Sequence, residues 1–463
     1  MAQVVFEQVR DRYKQCVEAK KPKMIAVKVA EALGLCTADG VRHFDEGGRP
    51  TLAKDRKHRA ADFHPQILAD AIIGRDWAQQ LGLDTGDPHL FPMQRWLSEA
   101  EATPIGPSQW ANIAAWSATV SGLMQAQFLE AYQQTEFDLV DLFPTRPPIF
   151  WQGGERIPDV LGPYEPASEV GPGEPYPDVA MSGLWVEPGP MKKYAGKITV
   201  AKETAFIDIS GGQILAKAKT AADTLRYREQ LLTEDVILGV TNNWKLGMLA
   251  DSAATGYNTY GATITNPRGG SRTIPNDNVN PLNDVGALQK SDEYIAGLYH
   301  PVTDNPIAVD MDTIILPTVL NKPAEWLMGV NEVWGMPQTT NPAMATAPGT
   351  FPNSVQKSNN PWQGKLKPVV SRWLHKRHTD STSVTNSNRP AGLGLTNAGI
   401  YRWYRCDPRK FAAKRMAWPS TIIDLNPNDW VMATQGVIAG QAFDIAVMIQ
   451  VLNAYAIQRN KGA

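Results

Sequence analysis

Two acidic residues, Asp310 and Asp312, lie two positions apart in the segment VDMDT. On a β-strand this spacing places both carboxylates on one face, where a pair of carboxylates can hydrolyse a glycosidic bond. The 14 Trp residues of the chain would suit a carbohydrate substrate. The segment is also typical of a polar turn that leads into a strand, and we favour that interpretation.

Histidine and cysteine residues suggest two other kinds of site. His375 and His378 form an H-x-x-H pair, but a metal site needs helical geometry and further ligands, and this segment is typical of a strand running into a loop. Cys406 follows an arginine, which could activate its thiolate, but a half-buried strand cysteine explains it better. The other cysteines, Cys16 and Cys36, are far away, so neither a disulfide framework nor a zinc site is predicted.

The segment 402–418 interleaves basic and aromatic side chains. Such a pattern can bind nucleic acid by stacking and charge. It is also typical of an amphipathic strand and turn that contacts an acidic face of a neighbouring subunit, and we favour this because the net charge of the whole chain is −2. The side chains concerned are Arg402, Trp403, Tyr404, Arg405, Arg409, Lys410, Phe411, Lys414, Arg415 and Trp418.

The composition excludes several classes of protein. The chain has 463 residues, 43% of them hydrophobic, which is enough for a large core. Its N-terminal segment carries charges throughout, and no apolar run is long enough to span a membrane. No G-x-G-x-x-G, P-loop or G-x-S-x-G motif is present. The sequence therefore predicts no enzyme, no cofactor and no contact with a membrane.

Two long amphipathic helices are predicted. The first begins at Ser108 as N-cap and runs to about Gln134, and the second covers 209–239, with Gly239 at its end. In the second helix apolar side chains recur every three to four residues, so one face is expected to be buried. Glu229, Glu234 and Asp235 are expected on its solvated face.

A Pro/Gly-rich arm, residues 151–190, precedes the second helix and cannot fold on itself. Extended limbs are predicted at 183–187 and 193–208, and limbs joined by a Pro/Gly tip would form a two-stranded finger. A strand is predicted at 137–145, and mostly polar loops at 240–306 with a helix near 287–300. Residues 312–329 predict a strand, a turn and a helix, and further strands are expected at 365–375, at 399–407 and towards residue 463.

The segment KITVAKETAFIDISGGQILAKAKTAADTLRYREQLLTEDVILGVTNN, residues 197–243, resembles major capsid proteins of tailed phages. These have a strand of the form I-x-V-x-K-E-x-x-F-x-D, a long helix and VLGVTN. ERIPD at 155–159 and GEPYPD at 173–178 resemble the extended loop of that group. The likeness covers roughly 137–463 and implies an α+β fold of the Hong Kong 97 type.

The resemblance also implies how the chain is divided. It implies an N-terminal arm with helices, an extended two-stranded loop, a long spine helix, a peripheral domain and an axial domain. The predicted segments are 1–136 for the arm and helices, 137–208 for the strand and loop, 209–239 for the spine helix, 240–310 for a peripheral segment, 311–398 for the axial domain and 399–463 for returning peripheral strands.

The implied function is that of a major head protein that self-assembles, as pentamers and hexamers, into an icosahedral shell around double-stranded DNA. A portal protein, scaffolding or decoration proteins and weakly held DNA are the implied partners, and the virion, assembled in the host cytoplasm, is the implied location. Gly211 and Gly212 are expected to act as a hinge. Residues expected to contact the next subunit are Arg156, Tyr164, Tyr176, Trp185, Lys192 and Lys193.

Two alternatives remain open at this point. The first is the shell of a cellular nanocompartment with the same fold, of the encapsulin type. The second is a carbohydrate-active hydrolase that uses Asp310 or Asp312.

Overall fold

The structure is a computed structural model that describes residues 29–37, 41, 43, 51–53, 56, 59–62, 107–134, 137–146, 155–158, 169–170, 172, 184–201, 212–240, 244–248, 251, 253–265, 270–283, 285–301, 304–329, 332–335, 356–360, 362–374, 402–417, 423–424 and 437–461. The α-helices with both ends in these ranges are α1 Pro107–Gln133, α2 Gly212–Leu238, α3 Val285–Ala296, α4 Asn321–Gly329 and α5 Pro408–Phe411.

The strands in the same ranges are β1 Thr145–Arg146, β2 Ile157–Pro158, β3 Leu184–Val186, β4 Lys192–Ala201, β5 Trp244–Met248, β6 Thr255–Tyr257, β7 Thr263–Thr265, β8 Ser271–Thr273, β9 Asp277–Val279, β10 Thr313–Pro317, β11 Glu332–Gly335, β12 Gln356–Asn359, β13 Lys367–Ser371, β14 Trp403–Cys406, β15 Ala412–Ala417, β16 Ile423–Asp424, β17 Val437–Val451 and β18 Ile457–Lys461. The protein is therefore a mixture of helix and sheet, as the sequence predicts.

The first five-stranded sheet is built around β17, which is 15 residues long. Strand β4 runs antiparallel along one edge of β17, from Lys192 opposite Val447 to Ala201 opposite Val437. Strands β15 and β16 pair with the other edge, and β1 adds in parallel to β15. Residues 441–442 and 446–447 of β17 therefore have paired neighbours on both edges, which makes β17 the central strand of this sheet.

Helices α1 and α2 pack on each other and on this sheet. Val120, Met124 and Phe128 of α1 recur every four residues and are buried in one core with Ala218 and Ala222 of α2. The two alanines have short side chains, which lets the helix backbones approach closely. The helices and the sheet thus form two layers around a single apolar core.

Part of the N-terminal region joins the same core. Leu33, Leu52 and Ala60 are buried in it, and the guanidinium of Arg56 lies 3.3 Å from a carboxylate oxygen of Glu130 on α1. These residues belong to the body of their own subunit. The role of the remainder of 1–136 as an arm stays a prediction.

Helix α2 ends in a tight turn at Gly239, as the sequence predicts. Gly239 has φ 65°, its N–H donates to the Val236 carbonyl, and the Val240 N–H donates to the Asp235 carbonyl. These two bonds form a Schellman motif, in which a left-handed residue is usually glycine. A Cβ at Gly239 would also lie 2.8 Å from the ring of Tyr260.

The second five-stranded sheet has the order β13-β10-β14-β18-β9. Helices α3 and α4 cover one of its faces, through a core that includes Leu288 of α3, Leu327 of α4, Ile314 and Leu316 of β10, and Trp403 of β14. The other face joins the core that contains the C-terminal end of α2. The long helix therefore connects both sheets.

Several predicted elements are confirmed. The strand, turn and helix expected over 312–329 are present as β10, the 3-10 helix Thr318–Leu320 and α4. The helix expected near 287–300 is α3, and the strands expected within 365–375 and 399–407 are β13 and β14. The division into peripheral and axial domains stays a prediction.

Three predictions about elements are wrong. Residues 138–143 form a turn instead of a strand, because their apolar side chains pack around a bend. Helix α1 begins at Pro107, so Ser108 is not its N-cap; proline suits the first helical turn, where its missing N–H costs no helical hydrogen bond. The sequence predicts mostly loops over residues 240–306, but these residues contain the short strands β5 to β9. The many polar residues of this region are typical of loops, which explains the difference.

Candidate assembly site at the loop base

Strands β2 and β3 form the base of the segment 159–183, and we call residues 155–158 and 184–187 the loop base. Ile157 lies opposite Val186 and Pro158 opposite Trp185 in an antiparallel pair. Strand β3 then pairs with β5, and β5 with β6, which gives a four-stranded sheet. This corrects the expected finger, since β4 pairs with β17 and is not a limb of it.

Trp185 fixes the loop base from within its own chain. Its side chain is buried, with Nε1 donating to the Met248 carbonyl at 2.9 Å. The guanidinium of Arg156 lies 4.3 Å from the centre of the indole ring, which permits a cation–π contact. Gly247 lies directly under the ring, and a Cβ there would overlap it.

Two contacts join the loop base to the first sheet, one for each limb. On the outgoing limb Glu155 accepts two hydrogen bonds from the guanidinium of Arg415, one of them 3.3 Å long, and both side chains are largely buried. On the returning limb the Glu187 carbonyl accepts a bond of 2.7 Å from Nε2 of Gln450. A bidentate arginine–carboxylate pair fixes direction as well as distance.

The neighbouring residue of β15, Lys414, holds the helices on the other face of the sheet. Its ammonium group donates to Glu229 of α2 at 3.1 Å and to the Val140 carbonyl at 3.0 Å. The side chains of Lys414 and Glu229 are each only 1% exposed. Desolvation of these charges is offset only because each has charged and hydrogen-bonding partners.

Glu229 is the centre of a small network between α1, α2 and β15. It accepts hydrogen bonds from the hydroxyl of Tyr132 and, at 3.4 Å, from the guanidinium of Arg226. Asp141 lies 3.5 Å from Arg226 and 3.6 Å from Lys414, so two carboxylates face two cations. Arg226, Lys414 and Glu229 are buried, and Asp141 at the exposed edge of the group balances the second positive charge.

Of the residues predicted to contact an adjacent subunit, the structure brings two together. Arg156 and Trp185 contact each other at the loop base, whereas Lys192 and Lys193 are exposed at the start of β4. The burial of Trp185 is provided by its own chain, which the sequence did not indicate. Gly212 is the first residue of α2. The contacts with a second subunit and the hinge stay predictions; Tyr164, Tyr176 and Gly211 lie outside the described residues.

The structure contradicts the prediction for two acidic residues of α2 and, in part, the prediction for the basic segment 402–418. Glu229 and Glu234 are buried, not solvated, because the turn at 138–143 covers this side of α2. In the basic segment, Arg405, Lys414 and Arg415 are buried and hydrogen-bonded to acidic residues of the same chain. These three side chains therefore make internal contacts, and they are not accessible to nucleic acid or to an acidic face of a neighbouring subunit.

Sequence reasoning missed Glu155 and Gln450 as functional candidates, and it assigned Arg415 to an intermolecular contact instead of to a pair with Glu155. One local signal was present: the strand AAKRMA places two charges next to each other in an otherwise apolar strand. Because successive side chains of a strand point to opposite faces, such a pair indicates two different buried partners. The partners themselves are too distant in sequence to be recognised.

Among the residues considered for catalysis, Asp310 is exposed, whereas Asp312 and Cys406 make contacts within the fold or are buried in it. Burial raises the pKa of Asp312, but the hydrogen bonds from Lys367 and Thr313 outweigh this and hold the pKa below its ordinary value. The carboxylate of Asp312 is thus engaged at the start of β10. Cys406 lies on a strand, as the sequence predicts, but it is fully instead of half buried, and this burial raises the pKa of its thiol. His375 and His378 lie outside the described residues.

Within the described ranges, no group of three His, Cys, Asp or Glu side chains has an arrangement suited to a metal ion. Among the same residues, no helix combines the length and apolar character that a membrane span requires.

No family model and no curated protein matches the chain. Among solved structures, it is similar to the capsid of the cyanophage P-SCSP1u, with 10% identity and a TM-score of 0.39 over 70% of this chain and 86% of that one. A structure from Gordonia phage Cozz is 10% identical, with a TM-score of 0.37 over 71% of this chain and 87% of that one. A virus-like particle from Pyrococcus furiosus is 8% identical, with a TM-score of 0.32 over 73% of this chain and 97% of that one. Phage capsid structures are thus among those that the chain resembles, at TM-scores too low to establish a shared fold.

Proposed function

We propose that this chain is a major capsid protein, which self-assembles into an icosahedral shell around the double-stranded DNA of a phage. The observation that carries the proposal is the unit formed by β4 and α2. Residues 197–243 resemble phage capsid proteins in sequence, and they contain the end of a ten-residue strand followed by a 27-residue helix. Strand β4 pairs with β17 in the first sheet, and α2 packs on both of these strands.

The construction of the loop base supports the same function. A shell subunit must present its contact segments at a fixed angle, because small errors of angle accumulate around a closed shell. The base of segment 159–183 is held by Trp185, by the Glu155–Arg415 pair and by the Gln450 bond to Glu187. These contacts are buried, so they are little screened by salt.

In this proposal Lys192, Lys193 and the segment 159–183 face adjacent subunits in pentamers and hexamers. The two lysines are paired with β17 through their backbones, but their side chains are exposed, which fits a role in contact between chains better than a role in the core. A portal protein, scaffolding or decoration proteins and packaged DNA complete the proposed set of partners. Assembly takes place in the host cytoplasm.

Electron microscopy of the purified protein tests this function. We expect closed particles of uniform diameter, formed by the wild-type chain alone or with a co-expressed scaffold. A chain that stays monomeric at every protein and salt concentration, with and without scaffold, would contradict the proposal. The content of particles isolated from the native host then distinguishes two kinds of shell. Nuclease-protected DNA supports a phage head, whereas a protein cargo supports a nanocompartment.

A further inference from the structure

Strand β15 carries charged contacts on both of its faces. Lys414 contacts Glu229 of α2 at 3.1 Å, while the next residue, Arg415, contacts Glu155 of the loop base. Successive side chains of a strand point to opposite faces, so one residue step links the helix layer to the loop layer. Lys414 and Arg415 are both buried, which excludes solvent from either contact.

The neighbouring side chains confirm that the two faces are distinct. Met416, two residues beyond Lys414, lies in the same core as α1 and α2. On β17, Gln450 holds the loop base, whereas Ile445 and Val447 lie in the core with the helices. Within each of these two strands, alternate positions therefore face different layers.

We propose that Lys414 and Arg415 act together as positioning residues that couple the orientation of the loop base to that of α2. Lys414 donates to two partners and Arg415 makes a bidentate pair with Glu155, so neither side chain can move without loss of buried hydrogen bonds. When α2 shifts, Glu229 moves Lys414 and therefore the backbone of β15. Because Arg415 is the next residue of β15, its pair with Glu155 is displaced as well. The role of this coupling in assembly rests on the proposed function, whereas the coupling itself is a property of one chain.

Hydrogen exchange of the unassembled full-length protein tests the coupling. The variant Glu229→Gln changes only the helix face, and the reporter is the backbone of residues 184–187 on the opposite face, where the Glu187 N–H donates to the Lys245 carbonyl at 3.1 Å. We expect exchange in this segment to become about fivefold faster or more, the range usual for coupled sites. Tyr132→Phe, which removes a single hydrogen bond to Glu229, should give a smaller effect of the same kind.

The matched control is Asp277→Asn, which breaks an ion pair with Arg459 in the second sheet. Exchange of 184–187 that is unchanged in Glu229→Gln, or that rises equally in Asp277→Asn, would overturn the proposal, because the effect would then be absent or merely global. The reciprocal variant Glu155→Gln should speed exchange of the Leu139 amide, which donates to Gln230 of α2. Arg415→Lys keeps the positive charge but loses the bidentate geometry. Its exchange rate in residues 184–187 should therefore lie between the rates of wild type and of Arg415→Met.

Because exchange is measured on single chains, its outcome is independent of whether shells form. Coupling without closed particles would leave this inference standing and remove the proposed function. Closed particles without coupling would do the reverse.

Discussion

The ammonium group of Lys414 is buried inside the protein, with one acceptor on α2 and one in the turn at 138–143. The carboxylate of Glu229 and the Val140 carbonyl lie within 3.1 Å of its ammonium group. A buried ion pair of this kind adds little stability compared with an apolar pair, yet removing one partner leaves an uncompensated charge. The network is therefore a strong constraint on position and a weak net source of stability.

Replacing Lys414 by Met should destabilise the protein by about 3–5 kcal/mol, because Glu229 stays buried without one of its cations. The midpoint of urea unfolding, followed by circular dichroism, measures the change. The double variant Lys414→Met with Glu229→Leu should recover part of the loss. Lys322→Met, which affects an exposed pair with Glu325, is the control and should cost less than about 1 kcal/mol. Equal effects of the two lysine variants would contradict this view of Lys414.

Helix α2 is amphipathic in its first half and buried on most sides in its second half. Buried residues near its start recur as Ile214, Ala218 and Ala222, but from Arg226 onwards polar side chains are buried as well. The reason is the turn at 138–143, whose Leu139 N–H donates to Gln230 at 3.1 Å. A helix in this position needs polar residues that satisfy the backbone of a covering turn, not only an apolar stripe.

At the end of this helix, Gly239→Ala should cost about 1–3 kcal/mol. A Cβ there meets the ring of Tyr260, and an alanine with φ 65° is strained. Differential scanning calorimetry of the variant should show a lowered midpoint. Gly256→Ala is the control, because nothing lies within 4 Å of a Cβ at that position. A change below about 0.5 kcal/mol for Gly239→Ala would show that the turn relaxes around the methyl group.

At the scale of the whole molecule, the carboxylates in ion pairs should determine how far the pH can fall before the folded protein loses stability. Burial raises the pKa of Asp277, but the hydrogen bonds from Arg459 and Lys461 outweigh it, and the pKa lies below its ordinary value of 3.8. A carboxyl whose pKa is lowered in the folded state stabilises the protein above the unfolded pKa. That stability is lost as the pH falls through the folded pKa.

We therefore expect the free energy of unfolding to fall below pH about 4, and the fall to be shallower in Asp277→Asn. Urea unfolding between pH 7 and pH 2 measures both curves. Since this carboxylate joins β9 to β18, the variant should also be less stable at pH 7. Parallel curves for the two proteins across the acid range would show that Asp277 has no part in the pH dependence.

The sequence predicts those elements whose pattern is local. The stripe of α2, its end at Gly239 and the strand–turn–helix at 312–329 each depend on a few neighbouring residues. The candidate site depends on pairs that are far apart: Arg415 and Glu155 are separated by 260 positions, and Lys414 and Glu229 by 185. No local pattern encodes such pairs, because strand order and register decide them.

The position of β17 and β18 has a consequence for the synthesis of the protein. Both lie within residues 437–461, yet β17 is the centre of the first sheet and β18 joins β14 to β9 in the second. A ribosome adds about 5–20 residues per second, so β4 must wait for its partner for about ten seconds or more. Neither sheet can close before residues 437–461 have left the ribosome, so any contact surface that depends on these sheets forms only after that point.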